Sequence, residues 1–140
     1  MKPRNVFVTV LLSLALVLSV GQLMANSQQA APKEHKGFKA TVKQAVELGP
    51  EIAGMEGRQL RLRLLTIDPG GYIGIHSHKD RPAVVYFLQG TDTVTFADGT
   101  VKLFRPGETS FANKNTTHWH RNDGPEPVVL VAVDVFHHAQ

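Results

Sequence analysis

The sequence contains no cysteine. This absence excludes disulfide bonds, thiolate metal ligands, a cysteine nucleophile and a lipid-anchored cysteine at the N-terminus. The folded chain must therefore be stabilised by an apolar core or by oligomerisation. Any metal site must be built from nitrogen and oxygen ligands, because the softer sulfur ligand is missing.

A strong excess of charge of either sign is also missing. The 140 residues include 15 lysines and arginines against 12 acidic residues. No basic run with interleaved aromatic residues occurs, so the sequence predicts no nucleic-acid partner. A phosphate-binding loop, a Ser-His-Asp arrangement and paired carboxylates with a recognisable spacing are likewise absent.

The N-terminus differs from the rest of the chain. A short positive region with Lys2 and Arg4 precedes an apolar run from Val6 to Gly21. This run is shorter than the roughly 20 residues that a membrane-spanning helix needs. The order predicts a signal peptide over residues 1–25 and a periplasmic or secreted protein without membrane association after cleavage. An uncleaved membrane anchor is the alternative.

Residues 26–39 are polar and predict a flexible mature N-terminus, followed by one domain over residues 40–140.

Regular alternation begins at Arg58. Leu60, Leu62 and Leu64 alternate with Arg61 and Arg63, the period of a half-buried strand whose arginines face solvent. Asp68 to Gly71 predicts a turn. Gly74, inside the next strand, indicates a bend or a close backbone approach. Further strands are predicted at residues 72–78, 83–89, 91–97, 100–104, 109–112, 116–121 and 128–136. Strands at intervals of roughly eight to twelve residues are typical of an all-β sandwich or barrel.

Three histidines are the strongest candidates for a functional site. His76 and His78 are two positions apart on a predicted strand, so their side chains share one face. His118 follows a turn-rich segment, and a neighbouring strand could bring it opposite this pair. Neutral imidazoles suit Zn, Cu, Fe or Ni. By the same period, His120 shares the face of His118 and Trp119 points the other way.

With these spacings the sequence resembles a small single-domain member of the cupin superfamily. The positions that match the two cupin motifs in register are Gly70, His76, His78, Gly90, Gly107, His118 and Asn122, whereas Asn113 and Asn115 replace a proline and a glycine. The resemblance covers about Leu60 to Val135. It implies a double-stranded β-helix barrel of the jelly-roll type. It also implies a divalent metal, Fe, Mn, Zn or Ni, held by His76, His78 and His118.

One departure bears on the ligand set. Cupins typically use a glutamate as the fourth ligand, and this motif position falls on Ala83. Three alternatives remain open. The first is a metal with three histidine ligands and with water or substrate in the fourth position. The second is a fourth ligand from another residue, such as His120 or Asp80, and the third is that metal binding has been lost.

The resemblance implies a metal-dependent enzyme, such as a dioxygenase, isomerase or lyase, that acts on a small oxygenated molecule. A non-catalytic cupin that binds a small molecule or a metal is the alternative. Asp80 and Glu108 are candidates for acid–base chemistry only through their proximity to the motifs. Arg61 and Arg63 could hold a carboxylate substrate if their face turned inward. The expected partners are a small-molecule ligand and a second copy of the chain in a homodimer.

Overall fold

The computed structural model describes residues 30–137, which form an all-β domain. The eight strands are β1 (Lys36–Glu47), β2 (Arg58–Ser77), β3 (Ala83–Gln89), β4 (Asp92–Phe96), β5 (Val101–Phe104), β6 (Thr109–Ala112), β7 (Thr117–Arg121) and β8 (Val128–His137). From β3 to β8 every boundary lies within one residue of the sequence prediction. The predicted signal peptide lies outside the described residues. Within those residues, no helix is long and apolar enough to cross a membrane.

The strands form one antiparallel, nearly closed barrel of the double-stranded β-helix type, as expected. Their order is β5-β4-β7-β2-β8-β3-β6, and β1 also pairs with β2. The long strand β2 is the central element. Its first half pairs with β8 from Arg58 to Ile67, and its second half pairs with β7 from Tyr72 to Ser77. One strand therefore connects the two sides of the barrel.

The structure differs from two local predictions, one just before β1 and one inside β2. β1 begins at Lys36, so the flexible segment predicted through Lys39 ends earlier. The turn predicted from Asp68 to Gly71 is a corner within the continuous strand β2, at which β2 exchanges β8 for β7 as its partner. The corner keeps its backbone hydrogen bonds, because the Gly70 N–H donates to the Asn122 carbonyl oxygen at 3.0 Å.

A one-residue bulge interrupts β2 just before the histidines. Ile73 pairs with His120 and His76 pairs with His118, so Gly74 and Ile75 together face the single residue Trp119. An extra residue in one strand reverses which side chains face inward beyond it. Accordingly, Ile73 is buried before the bulge, whereas Ile75 is exposed after it. The bulge turns the side chains at positions 76 and 78 toward the interior.

Gly74 is required at this bulge because another backbone segment touches it. A Cβ atom at Gly74 would lie 2.6 Å from the Lys33 carbonyl oxygen and 2.7 Å from that of Glu34. The Gly74 N–H donates to His35 Nδ1 at 2.9 Å, and the Ile75 N–H donates to the Pro32 carbonyl oxygen at 2.7 Å. The close approach expected at Gly74 is therefore present, and its partner is the segment that precedes β1.

The first half of β2 has the opposite orientation from the one predicted. Leu60 and Leu62 are each 39% exposed on the outer surface. Arg61 and Arg63 instead point inward, where both bind the buried carboxylate of Asp134 on β8. The predicted alternation of side chains is present, but the face predicted to be buried is exposed and the face predicted to be solvated is buried. Partnership with a buried acid lets the arginines occupy the interior.

The apolar core consists of buried side chains inside the barrel. Its buried members are Leu65, Ile67, Ile73, Phe87, Val128, Leu130 and Ala132. The Phe87 ring stacks on that of Phe104, with centroids 4.9 Å apart. Inward-facing residues alternate with outward-facing ones on β3 and β8, which is the pattern of strands that wrap a core. The core thus supports a polar region at one end of the barrel.

The bulge gives a testable prediction. Gly74→Ala should lower the free energy of unfolding by about 1–3 kcal/mol, because the added methyl group must displace the backbone of Lys33 and Glu34. Urea denaturation measures this loss. The matched control is Gly124→Ala, whose Cβ would meet its nearest atom, Asn122 Oδ1, at 3.4 Å. Equal stability of both variants would show that the bulge tolerates a side chain.

Candidate metal centre

Four histidines converge inside the barrel. His76 and His78 come from the end of β2 and His118 and His120 from the adjacent strand β7. The ring centroid of His118 lies 4.7 Å from that of His76, 4.9 Å from that of His78 and 4.6 Å from that of His120. The structure thus brings together the three histidines predicted from the sequence. It adds His120 as a fourth member of the cluster.

Hydrogen bonds fix the tautomer of three of the four rings. His76 Nδ1 lies 2.9 Å from the Gly74 carbonyl oxygen, and His78 Nδ1 lies 2.9 Å from that of Arg81. His120 Nδ1 lies 2.7 Å from Asp92 Oδ2. Because these oxygens can only accept, each Nδ1 must carry the proton. In the neutral rings Nε2 then keeps its lone pair, the arrangement that metal-binding histidines use.

The Nε2 atoms are spaced as ligands of one ion would be. His118 Nε2 lies 3.1 Å from His78 Nε2 and 3.4 Å from His120 Nε2. Ligand nitrogens about 2.1 Å from a common metal are roughly 3.0–3.4 Å apart at coordination angles of 90–110°. The three histidines whose ligand nitrogens all lie within 4.8 Å of one another are His76, His118 and His120, a group that contains His120 in place of the predicted His78. His78 contacts this group through His118. Lone pairs this close repel unless a proton or a cation lies between them, so the donor set fits a divalent metal.

Burial keeps His76, His78 and His118 neutral. Desolvation lowers the pKa of His76 from 6.5 to about 4 and that of His118 from 6.5 to about 2. The neighbouring imidazoles and Arg81 lower both pKa values further. Desolvation also lowers the pKa of His78. Unprotonated imidazoles at neutral pH are the form that binds a metal.

Ala83 stands where the resemblance predicts a glutamate ligand, so this position provides no carboxylate. Ala83 is buried on β3 and pairs with Asp134 on β8. The Asp134 carboxylate does not replace the glutamate, because Arg61 binds it at 3.0 and 2.8 Å and Arg63 binds it at 2.9 Å. Of the two fourth-ligand candidates named from the sequence, only His120 lies in the cluster. Asp80 is exposed and pairs with Arg58 at 2.6 Å.

A cavity of about 280 Å³ opens onto the histidines. Arg63 and Arg81 line it, as do Ala83 and His35. The apolar part of its wall consists of Phe38, Ala40, Leu65, Ile73, Val85, Ala112 and Ala132. No aspartate or glutamate is among the described residues that line it. Glu108, a candidate acid–base residue, is instead exposed in a turn, where it accepts a hydrogen bond from the Arg105 N–H at 2.6 Å.

Sequence reasoning missed several residues of this region. Asp134 and the inward orientation of Arg63 were not predicted, although a single aspartate within the apolar strand β8 was a usable signal. Asp92, which orients His120, had no such signal because it follows a turn. His35, assigned to a flexible segment, bonds the bulge and lines the cavity.

Comparisons with known proteins agree with the barrel fold. A family model described as a cupin domain matches residues 63–135. No curated protein sequence matches the chain significantly. Among solved structures, a predicted oxalate decarboxylase from Thermotoga maritima has a TM-score of 0.59 and 15% identity, with 78% of this chain and 96% of that chain covered.

Two further solved structures share the fold. KdgF from Halomonas sp. has a TM-score of 0.56 and 17% identity over 78% of this chain and 90% of that chain. The polyketide cyclase RemF from Streptomyces resistomycificus has a TM-score of 0.55 and 19% identity over 78% of this chain and 76% of that chain. At these identities the similarity shows a shared barrel fold and does not identify a reaction.

The lowered histidine pKa values predict that the metal-free protein loses stability in acid. The unfolded chain, with histidine pKa values near 6.5, binds more protons than the folded chain, in which His76 and His118 titrate near 4 and 2. Stability is therefore full above about pH 6.5 and falls toward pH 4, by at most about 1.4 kcal/mol per pH unit for each histidine.

Urea denaturation of the metal-free protein between about pH 7.5 and 5 measures this slope. His118→Gln should have a shallower slope, because one buried imidazole no longer titrates. Equal slopes for the wild type and this variant would contradict the assignment of His118 as a buried, neutral group.

Proposed function

The chain belongs to the cupin family, and from this premise we propose that it is an exported enzyme that binds one divalent metal at its histidine cluster. The observation that supports the proposal is the convergence of the Nε2 atoms, with three Nδ1 atoms held by oxygen acceptors. His76, His78 and His118 are the proposed ligands. His120 is the proposed fourth nitrogen in place of the glutamate that Ala83 lacks.

The metal, Fe, Mn, Zn or Ni, would supply Lewis acidity to a bound oxygen atom of the substrate. The protein's own part is to hold the ligands and to shape the cavity. The Gly74 and Arg81 carbonyl oxygens and Asp92 fix the ring orientations of His76, His78 and His120. The apolar wall excludes water from one side of the substrate. Dioxygenase, isomerase and lyase reactions on a small oxygenated molecule are all compatible with this arrangement.

A non-catalytic binding protein is the second candidate. The observation that favours it is that none of the described residues lining the cavity carries a carboxylate. Two buried acids are already bonded elsewhere, Asp92 to His120 and Asp134 to two arginines. An enzyme with this cavity would have to use a histidine of the cluster as its general base. Turnover of an identified substrate that His76→Ala abolishes, in a variant that remains folded, would exclude this candidate.

Export and homodimer formation complete the proposal. The N-terminal sequence supports export, as described above. For the dimer, the outer face of β3 and β6 carries Val84, Tyr86 and Phe111, which are 58%, 48% and 70% exposed. Val84 and Phe111 are paired in register, so they form one apolar surface that a second copy could cover. The molar mass from light scattering distinguishes a dimer from a monomer.

Metal analysis tests the central part of the proposal. The protein, purified without a histidine tag, is stripped of metal and loaded separately with Fe(II), Mn(II), Zn(II) and Ni(II). We expect about one equivalent of at least one metal in the wild type, and less than about a tenth of an equivalent in His76→Ala and His118→Ala, because each supplies a ligand nitrogen. Elemental analysis after gel filtration gives the stoichiometry.

His137→Ala is the matched control. His137 lies at the end of β8, where its Nδ1 is 3.5 Å from Asp80 Oδ2. This variant should retain the full equivalent. Loss of metal from the control alone, or no bound metal in the wild type under any loading condition, would overturn the proposed metal centre.

A further inference from the structure

The wall of the histidine cavity carries more positive than negative charge. Three guanidinium groups face the single carboxylate of Asp134. Arg61 and Arg63 bind it at 2.8 and 2.9 Å, and Arg81 Nη1 lies 4.0 Å away, beyond hydrogen-bond distance. Asp134 is fully buried, and both Arg61 and Arg63 have only 13% of the side chain exposed. Buried charge without a counterion is unfavourable, so this wall is suited to an additional anion.

The arginines differ in how fully they are bonded. Arg61 is satisfied: it binds both oxygens of Asp134, and its guanidinium stacks 3.6 Å above the Phe136 ring. It does not line the cavity. Arg63 has a buried Nε with no hydrogen-bond partner. Both Arg63 and Arg81 line the cavity, so two guanidinium groups provide positive charge there.

The remainder of the cavity defines the other part of the ligand. Its wall is apolar apart from the arginines, the histidines and Ser110. A volume of about 280 Å³ accommodates a molecule somewhat larger than a single aromatic ring. Apolar walls favour a hydrocarbon body, whereas a planar guanidinium favours a carboxylate.

We propose that the substrate of this site is a small molecule with an apolar body and a carboxylate, and that Arg63 and Arg81 bind the carboxylate beside the histidine cluster. This inference rests on the proposed function, whose substrate class it names. The guanidinium groups of Arg63 and Arg81 supply the charge-assisted hydrogen bonds. Arg61 is a positioning residue that holds Asp134, which in turn orients Arg63.

Benzoate and benzamide are suitable probes because they share size and shape and differ in charge. Isothermal titration calorimetry is carried out on the full protein in metal-free and Zn(II)-loaded forms. Wild type should bind benzoate at least about tenfold more tightly than benzamide, because a hydrogen bond to a charged group contributes more than one to a neutral group. Acetate should bind at least about tenfold more weakly than benzoate, because it lacks the apolar body.

Arg63→Gln and Arg81→Gln should each weaken benzoate binding at least about tenfold and leave benzamide binding within about twofold of the wild type. Arg105→Gln is the matched control, since Arg105 is exposed in the β5–β6 turn and should change neither affinity. Circular dichroism checks the fold of each variant. Arg81→Gln keeps the test informative if Arg63→Gln unfolds, because Arg81 does not hydrogen-bond Asp134.

The outcomes separate this inference from the proposed function. Equal affinities for benzoate and benzamide, or variants that bind benzoate as the wild type does, overturn the carboxylate site even if one equivalent of metal is bound. Benzoate binding that depends on Arg63 and Arg81 in a protein that binds no metal supports the carboxylate site and overturns the metal centre. Acetate binding as tight as that of benzoate overturns the apolar part of the proposal.

Discussion

The one-residue bulge in β2 is the constraint on which the candidate site depends. Before the bulge, the side chains that line the cavity are those of Arg63, Leu65 and Ile73; after it, they are those of His76 and His78. Odd and even positions of one strand thus face the same cavity. In a regular strand the histidines would point outward, because side chains alternate between faces. The bulge also explains why the segment at Lys33 to His35 packs against Gly74.

The second determinant is the distribution of charge inside the barrel. Asp92 and Asp134 are both buried, and each is occupied by its own partner, His120 in one case and arginines in the other. Among the residues that the structure describes, the cavity is lined by imidazoles and guanidiniums and by no carboxylate. Ala83 lines this cavity and brings neither a ligand oxygen nor a negative charge to it. The positive charge of the arginines favours a negatively charged ligand, which connects the metal proposal with the carboxylate proposal.

Much of this could be predicted from local sequence. The strands β3 to β8 are short, alternate in hydrophobicity and are separated by glycine-rich or asparagine-rich turns, and these local signals were sufficient. The shared face of His76 and His78 and that of His118 and His120 follow from the period of two. The resemblance to cupins then assigned His118 to the same metal site as His76 and His78, which spacing alone does not give.

What could not be predicted depends on distant partners. The leucines from Leu60 to Leu64 were predicted to face inward. The arginines between them face inward instead, because they bind Asp134, which lies 73 residues after Arg61 in the sequence. The role of His35 depends on its contact with Gly74, 39 residues away. The sequence named His120 as a possible ligand, but not Asp92 on β4, which orients its ring. Each of these contacts joins segments whose local patterns carry no information about one another.

The most direct test of the account is anomalous diffraction from crystals of the metal-loaded protein. The account predicts one strong peak inside the barrel, about 2.0–2.3 Å from the Nε2 atoms of His76, His78 and His118, with His120 Nε2 at a similar distance. An interior without a peak, together with metal only at exposed side chains such as His137, would contradict it.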